Sequence, residues 1–313
     1  MSTTDPRASS LSARAARNLA TATVTPPQWD EISPRWLLKL LPYVDVDGGV
    51  YRVNRVLSKV PGPTVELLTV DEGEPQLPTT FVDYEDEPRE YHLSTIQTVL
   101  QTHTRITDLY SNRIDQLREQ VRLTVEALKE KEEREILNHP KFGLLNVVAP
   151  QQRIQTRGGA PTPDDLDELL TVVWKKPAFF LAHPKAIAAF GRECTRRGVP
   201  PPTISLFGAQ FLTWRGIPLI PSDKLPVSLE GKTSIILLRV GENQRGVVGL
   251  QKAGVTGEIE PGLSVRYMGT NDHSIASHLV TRYFSVAALD EDAIGLLENV
   301  TVSNFHSYVY PSA

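Results

Sequence analysis

The feature that most constrains the fold is a run of apolar residues at helical spacing in the middle of the chain. Ser94-Thr95-Ile96-Gln97 has the form of a capping box, a hydroxyl followed three residues later by a glutamine. Apolar residues then recur at Ile96, Val99, Leu100, Ile106, Leu109, Tyr110, Ile114, Leu117, Val121, Val125 and Leu128, spacings of three and four that keep to one helix face. The spacing predicts a single helix from residue 94 to Asn138, just ahead of His139-Pro140. About 45 helical residues would span on the order of 65 Å, more than a compact domain of this size needs. A coiled coil would keep a strict heptad, whereas here the apolar positions drift and residues 129–135 are almost wholly charged. The pattern reads as a long spine lying across a sheet, with its last turns in solvent. On that reading Leu117→Asp prevents folding by burying an unpaired carboxylate, and Glu132→Lys changes stability by no more than about 0.5 kcal/mol.

The segments on either side of this spine do not look like parts of a compact monomer. Residues 11–23 are rich in Ala and Arg, while Trp36-Leu37-Leu38-Lys39-Leu40-Leu41 is strongly apolar, so the first 50 residues read as an arm followed by an anchor. Short alternating stretches (Tyr51, Val53; Val65, Leu67) punctuated by Pro61-Gly62-Pro63, Pro75 and Pro78 predict an extended hairpin. Its second half holds nine Asp or Glu between Glu66 and Glu90 against Arg89 alone, the composition of a solvated face. A segment with little core of its own orders by lying on something else, such as a neighbouring copy.

Beyond the spine, helix and strand signals alternate. Thr162-Pro163-Asp164-Asp165 marks a helix start, with Lys175-Lys176-Pro177 at its far end. Residues 178–182 read as a buried strand, and His183-Pro184 opens a helix whose Ile187, Phe190 and Cys194 face inward and which stops at Gly198. Strands follow around residues 211–214, 217–220, 234–240, 246–250, 263–267, 278–286 and 293–302, which makes the chain an α+β protein.

Composition narrows the function more by exclusion than by signature. Lys and Arg total 33 against 37 Asp and Glu, a net charge of -4 that gives no basic stripe for nucleic acid. The single Cys194 rules out an intrachain disulfide and a Cys-rich metal site, and it reads as a small buried hydrophobe. The start of the chain has no apolar secretory core, and runs such as residues 234–238 end far short of the ~20 residues that span a bilayer, so a cytoplasmic protein is expected. Phosphate-binding glycine loops and the Gly-x-Ser-x-Gly elbow are absent. Asp272, His273 and His278 lack the spacing of a metal site, and Asp164, Asp165, Asp167 and Glu168 sit where a helix dipole favours acids in any protein. No catalytic residue, cofactor site or metal site is predicted.

Three groups of motifs are more specific. Leu11-Ser12 with Ala15-Ala16-Arg17-Asn18-Leu19-Ala20, then Pro27-Gln28, Ile32-Ser33-Pro34-Arg35-Trp36-Leu37 and Gly49-Val50-Tyr51-Arg52-Val53-Asn54 open the chain. Gly216-Ile217-Pro218-Leu219-Ile220-Pro221-Ser222 comes later, and Tyr283-Phe284-Ser285-Val286 precedes Ala293-Ile294-Gly295-Leu296-Leu297. Together they resemble the family 2 encapsulins, shell proteins with the tailed-phage capsid (HK97-like) fold, over nearly the whole chain. The short span between Tyr51 and Glu90 has no room for an inserted nucleotide-binding domain, which makes the chain similar to the insertion-free, 2A-type subgroup.

The resemblance implies an N-terminal arm and anchor over 1–50, an E-loop hairpin over 51–92, a P-domain from 93–150 and 258–313, and an A-domain over 151–257. It implies a homo-oligomeric icosahedral shell (T=1), enclosing a cargo enzyme that in this subgroup is a cysteine desulfurase tied to sulfur metabolism and storage. The loop Arg196, Arg197, Gly198, Val199, Pro200, Pro201, Pro202 and Thr203 falls where encapsulins line the fivefold pore, and its arginines would favour anions; an ordinary surface loop is the plain alternative. Trp36, Leu37, Leu40 and Leu41 are the expected assembly anchor, packing either between subunits or on the spine. The alternatives are a phage or prophage major capsid protein that packages DNA, and a free-standing enzyme of unrecognised type.

Overall fold

The computed structural model describes residues 33–54, 79–103 and 116–305, together with Val56, Val65 and Leu67. The expected arm at 11–23, the prolines at 61, 63, 75 and 78, and the helix-face positions Ile106, Leu109, Tyr110 and Ile114 lie outside the described residues. In chain order, α1 (Trp36–Leu40) leads into β1 (Tyr43–Asp45) and β2 (Val50–Val53), and β2 pairs with β3 (Arg89–His92). Next come β4 (Ser94–His103), the spine helix α2 (Gln116–Asn138), β5 (Arg153–Gln155), α3 (Pro163–Val172), β6 (Phe179–Ala182) and α4 (Pro184–Arg196). The described chain ends with β7 (Thr203–Leu206), β8 (Ala209–Trp214), β9 (Ile217–Pro221), β10 (Lys232–Leu238), β11 (Val247–Gln251), β12 (Glu258–Glu260), β13 (Leu263–Thr270), β14 (Ile275–Ala288) and β15 (Ile294–Thr301).

These strands form two principal sheets. One has the order β1-β11-β14-β13-β12 with β4 also on β14, and the other the order β5-β15-β10-β6-β9-β8-β7. The seven-stranded sheet therefore takes strands from residue 153 to residue 301, and β15, grouped with the P-domain in the sequence reading, is hydrogen-bonded between β5 and β10. The hairpin base is as expected: Tyr51 pairs with Tyr91, and a bridge between Val56 and Tyr84 carries the pairing outward.

The long helix requires a correction. Ser94-Thr95-Ile96-Gln97 starts no helix; Ser94–His103 is a strand in unbroken antiparallel register with β14, from Ser94 opposite Phe284 to His103 opposite Ile275. The helix proper is Gln116–Asn138, 23 residues. Residues Thr95, Ile96, Thr98, Val99 and Thr102 are β-branched, stiff at χ1 and suited to a pleated surface. Ile96 and Leu100 are four apart, a separation shared by one helix face and one strand face, so their spacing alone cannot tell the two apart. In the strand both pack against Val125 and Leu128 of α2 and Leu263 and Val280 of the sheet. Leu117 is half-buried at the start of α2; the buried apolar positions of the helix are Leu128, Ile136 and Leu137.

Elsewhere local chemistry places the elements as expected. Thr162 and Asp165 close a reciprocal capping box at the start of α3, and His183 caps α4. Arg215 and Gly216 both take positive φ, 50° and 84°, and give the tight turn that sends β8 back as β9. α3 and α4 cover the seven-stranded sheet with Leu166, Leu169, Phe190 and Cys194 against Phe180, Ile235 and Leu237. Burial pushes the Cys194 thiol up to about 11, so it is protonated and unreactive at neutral pH. The acids early in α3 are held structurally: Asp167 accepts from Trp214 Nε1 at 2.7 Å and from Arg215 at 2.8 and 3.0 Å, and Glu168 pairs with Arg157.

Candidate assembly site

The last three turns of α2, read as a solvated end, are a joint between the anchor and both sheets. Successive helical residues differ by about 100° around the axis, so Glu130, Glu132 and Glu133 point in different directions. All three are buried, with exposures of 7%, 1% and 1%, while Lys131 and Arg134 face solvent. Glu130 faces the N-terminal segment, where it accepts from the Ser33 amide at 2.8 Å and contacts Arg35 at 3.4 Å. Glu132 faces the six-stranded sheet, accepting from Arg282 Nε and Nη2 at 2.9 and 2.8 Å and from the Tyr43 hydroxyl at 3.1 Å. Glu133 faces the other sheet, accepting from Ser222 Oγ at 2.8 Å just after β9. Lys224 ties the same segment down, its ammonium 2.7 Å from Glu130 and 2.7 Å from Asp223.

The neighbouring chemistry is shaped to this joint. Burial, then the Glu132 carboxylate, pushes the Tyr43 phenol well above its ordinary range and fixes it as a hydrogen-bond donor. A Cβ at Gly249 would lie 2.7 Å from the Tyr43 ring, so glycine there is what lets the ring approach β11. Burial opposes the charge of Lys224, yet Asp223 and Glu130 hold its pKa above the usual lysine value. The sequence did carry a signal for the buried acids. Glu132 lies four residues before Ile136, and Glu133 three and four before Ile136 and Leu137, so extending that apolar stripe backwards runs through both glutamates.

The four expected anchor residues come together, but inside their own chain. Trp36, Leu37 and Leu41 are buried and Leu40 is half-buried; they pack with Ile136, Leu137, Phe211 and Ile220 in the core between the sheets. The Trp36 ring meets Phe211 edge to face at 5.2 Å. Arg35, at a φ of 51°, reaches Glu126 at 2.5 Å.

The loop at residues 196–203 is exposed on every residue except the half-buried Pro201, and it is held by backbone bonds from Gly198 to Thr195 and from Val199 to Cys194. Its arginines are not free cations. Arg196 lies 3.0 Å from Glu193, and Arg197 lies 3.5 Å from Asp164 and 3.9 Å from Glu193. Asp272 and His273 fall in the turn before β14, while His278 is buried beside Tyr267. Among the described residues no cluster of three His, Cys, Asp or Glu can hold a metal ion, and no helix is long and apolar enough to cross a membrane.

Comparison with known proteins agrees with this architecture. Residues 53–304 match the family model described as type 2A encapsulin shell protein SrpI-like. The chain is 58% identical to the type 2A encapsulin shell protein SrpI of Synechococcus elongatus over 296 residues, 95% of each sequence. It is similar to the solved holo-SrpI encapsulin complex of that organism with a TM-score of 0.81 at 57% identity, covering 96% of this chain and all of the other. A structure from Microbacterium phage Oxtober96 matches at a TM-score of 0.57 and 14% identity, over 94% of this chain and 99% of its own, a likeness of fold alone.

Proposed function

The chain belongs to the SrpI-like family of type 2A encapsulin shell proteins, and on that premise we propose that it builds a cytoplasmic icosahedral shell around a cysteine desulfurase. That the chain is a compartment-forming shell subunit with the HK97-like fold, and not an enzyme, follows from the family itself. The observation that carries the shell is the 57% identity to a solved encapsulin along 96% of this chain; the cargo rests on the resemblance to the 2A-type subgroup alone. The phage alternative has only fold-level likeness behind it, at 14% identity.

Expressed alone, the protein is expected to form hollow particles of megadalton mass by electron microscopy and mass photometry. Monomers or dimers as the sole species would overturn the shell. The cargo is tested by co-expression with a cysteine desulfurase carrying its own disordered segment. The enzyme should co-purify inside the particles and be lost when that segment is deleted; an empty shell in both cases sinks the assignment, and nuclease-protected DNA would favour the phage alternative.

The domain division at 51, 93, 151 and 258 and the pore loop belong to this proposal. If residues 196–203 line a pore, Arg196→Ala with Arg197→Ala should leave shells intact, since surface substitutions change stability by about 0.5 kcal/mol or less. Quenching of an enclosed fluorophore by a small anion should slow relative to a neutral quencher of equal size. The effect is expected to be modest, because Glu193 and Asp164 already neutralise much of that charge. No change in the ratio removes the loop from the pathway.

A further inference from the structure

The adjacent carboxylates of the joint are not equivalent. Glu132 has both oxygens met by Arg282. Glu133 has one donor, Ser222 Oγ on Oε1, while its Oε2 is buried with no hydrogen-bond partner. An ionised carboxylate offers about four acceptor sites, and leaving one oxygen dry in the interior is costly unless the group carries a proton. The charged groups facing it come from two elements: Glu130 one turn earlier on α2, and Asp223 with Lys224 on the segment after β9. The single cation among them, Lys224, is shared between Glu130 and Asp223, and its charge favours the ionised form of Glu133 without cancelling the effect of burial. Further out, Arg35 is directed at Glu126 and Glu130, and His183 lies near Asp223 with its own pKa lowered by burial.

We propose that Glu133 is a proton-operated latch between the spine helix and the seven-stranded sheet, firm when its carboxyl is protonated and loosened when it ionises. Every contact it uses lies within one chain, so the proposal goes beyond the shell assignment and does not depend on it. Burial pushes Glu133 up to about 7 from the ordinary 4.5, with the Ser222 hydrogen bond pulling the other way and Glu130 adding to the rise. The sign follows from proton uptake. The closed joint binds more protons than the open one between pH 4.5 and 7, so its hold is greatest in acid, falls as pH rises through about 7, and levels off above. Asn138, which donates to the Lys224 carbonyl at 2.9 Å, ties the same two elements and reports on the same opening.

The test is hydrogen–deuterium exchange on the assembled full-length protein at pH 6 and pH 8.5, corrected for intrinsic exchange. Peptides covering 130–138 and 222–225 should lose protection roughly tenfold at the higher pH relative to β10. Glu133→Gln, neutral at both pH values, should abolish that difference and stay protected at pH 8.5. Ser222→Ala removes the donor that favours the ionised form, so its transition should move to higher pH. Equal protection of the wild-type protein at the two pH values overturns the latch, as does the same tenfold loss in Glu133→Gln. Should Glu133→Gln fail to fold, the wild-type comparison and the Ser222→Ala midpoint decide the matter alone.

Discussion

Glu132→Lys should abolish soluble, folded protein, although Glu132 lies in the most highly charged stretch of the spine helix. The carboxylate is 1% exposed and takes two charge-assisted bonds from Arg282, whose side chain is 9% exposed, plus one from Tyr43. Removing one partner of a buried pair strands the other charge in the interior and costs about 3–5 kcal/mol. A lysine adds like-charge repulsion against Arg282 on top of that loss. Native domains hold only about 5–15 kcal/mol in total, so a loss of this size takes most of the margin. Glu132→Gln separates the two components, since it keeps the shape and an acceptor for Arg282 but removes the charge, and it should fall between wild type and Glu132→Lys in melting temperature. Lys131→Ala, one residue away and exposed, should change stability by about 0.5 kcal/mol or less. Soluble yield and melting temperature, read side by side, decide the register. Wild-type values for Glu132→Lys would place this carboxylate in solvent and dissolve the joint.

That expectation reverses the one drawn from the sequence, and the reason is physical. Charge runs on helices usually mark solvated faces because an isolated buried charge is prohibitively costly. Here the partners that make burial tolerable stand far away in the chain, at Arg35, Ser222, Lys224 and Arg282. No local pattern brings them together. The strand Ser94–His103 was misread for a related reason: Ile96 and Leu100 satisfy both periodicities, and what selects the strand is ten residues of pairing with β14, remote in sequence. Short β1 was not seen at all, for its three residues gain strand identity only by lying parallel to β11. By contrast, features set by neighbouring residues were legible. The helix start at Thr162-Pro163, the one at His183-Pro184, the stop at Gly198 and the hairpin base at Tyr51 all stand where their local chemistry puts them. The family resemblance supplied the HK97-like fold, and of the two neighbours expected for the anchor, another subunit or the spine, the single chain displays the spine.

Leu37→Asp distinguishes an anchor that binds a neighbouring subunit from one that completes its own chain. Leu37 is fully enclosed, in the cluster that holds Ile136 and Leu137 of the spine with Phe211 and Ile220 of the seven-stranded sheet. A carboxylate among these apolar side chains must either enter the core ionised or take up a proton at neutral pH, each at a cost of several kcal/mol. Leu37→Ala, which leaves a cavity without adding charge, should lose about 2–5 kcal/mol. Lys39→Ala, on the exposed side of α1 over the Trp36 ring, gives up a cation–π contact worth about 0.5–1 kcal/mol. If the anchor worked between subunits, Leu37→Asp would yield folded chains that fail to assemble, with native circular dichroism and the mass of a monomer. The packing within the chain demands the opposite: no native monomer accumulates, and the protein is lost to aggregation before assembly can be scored. Circular dichroism and mass photometry of Leu37→Asp therefore separate the two, and a well-folded, unassembled subunit would return the anchor to the interface between copies.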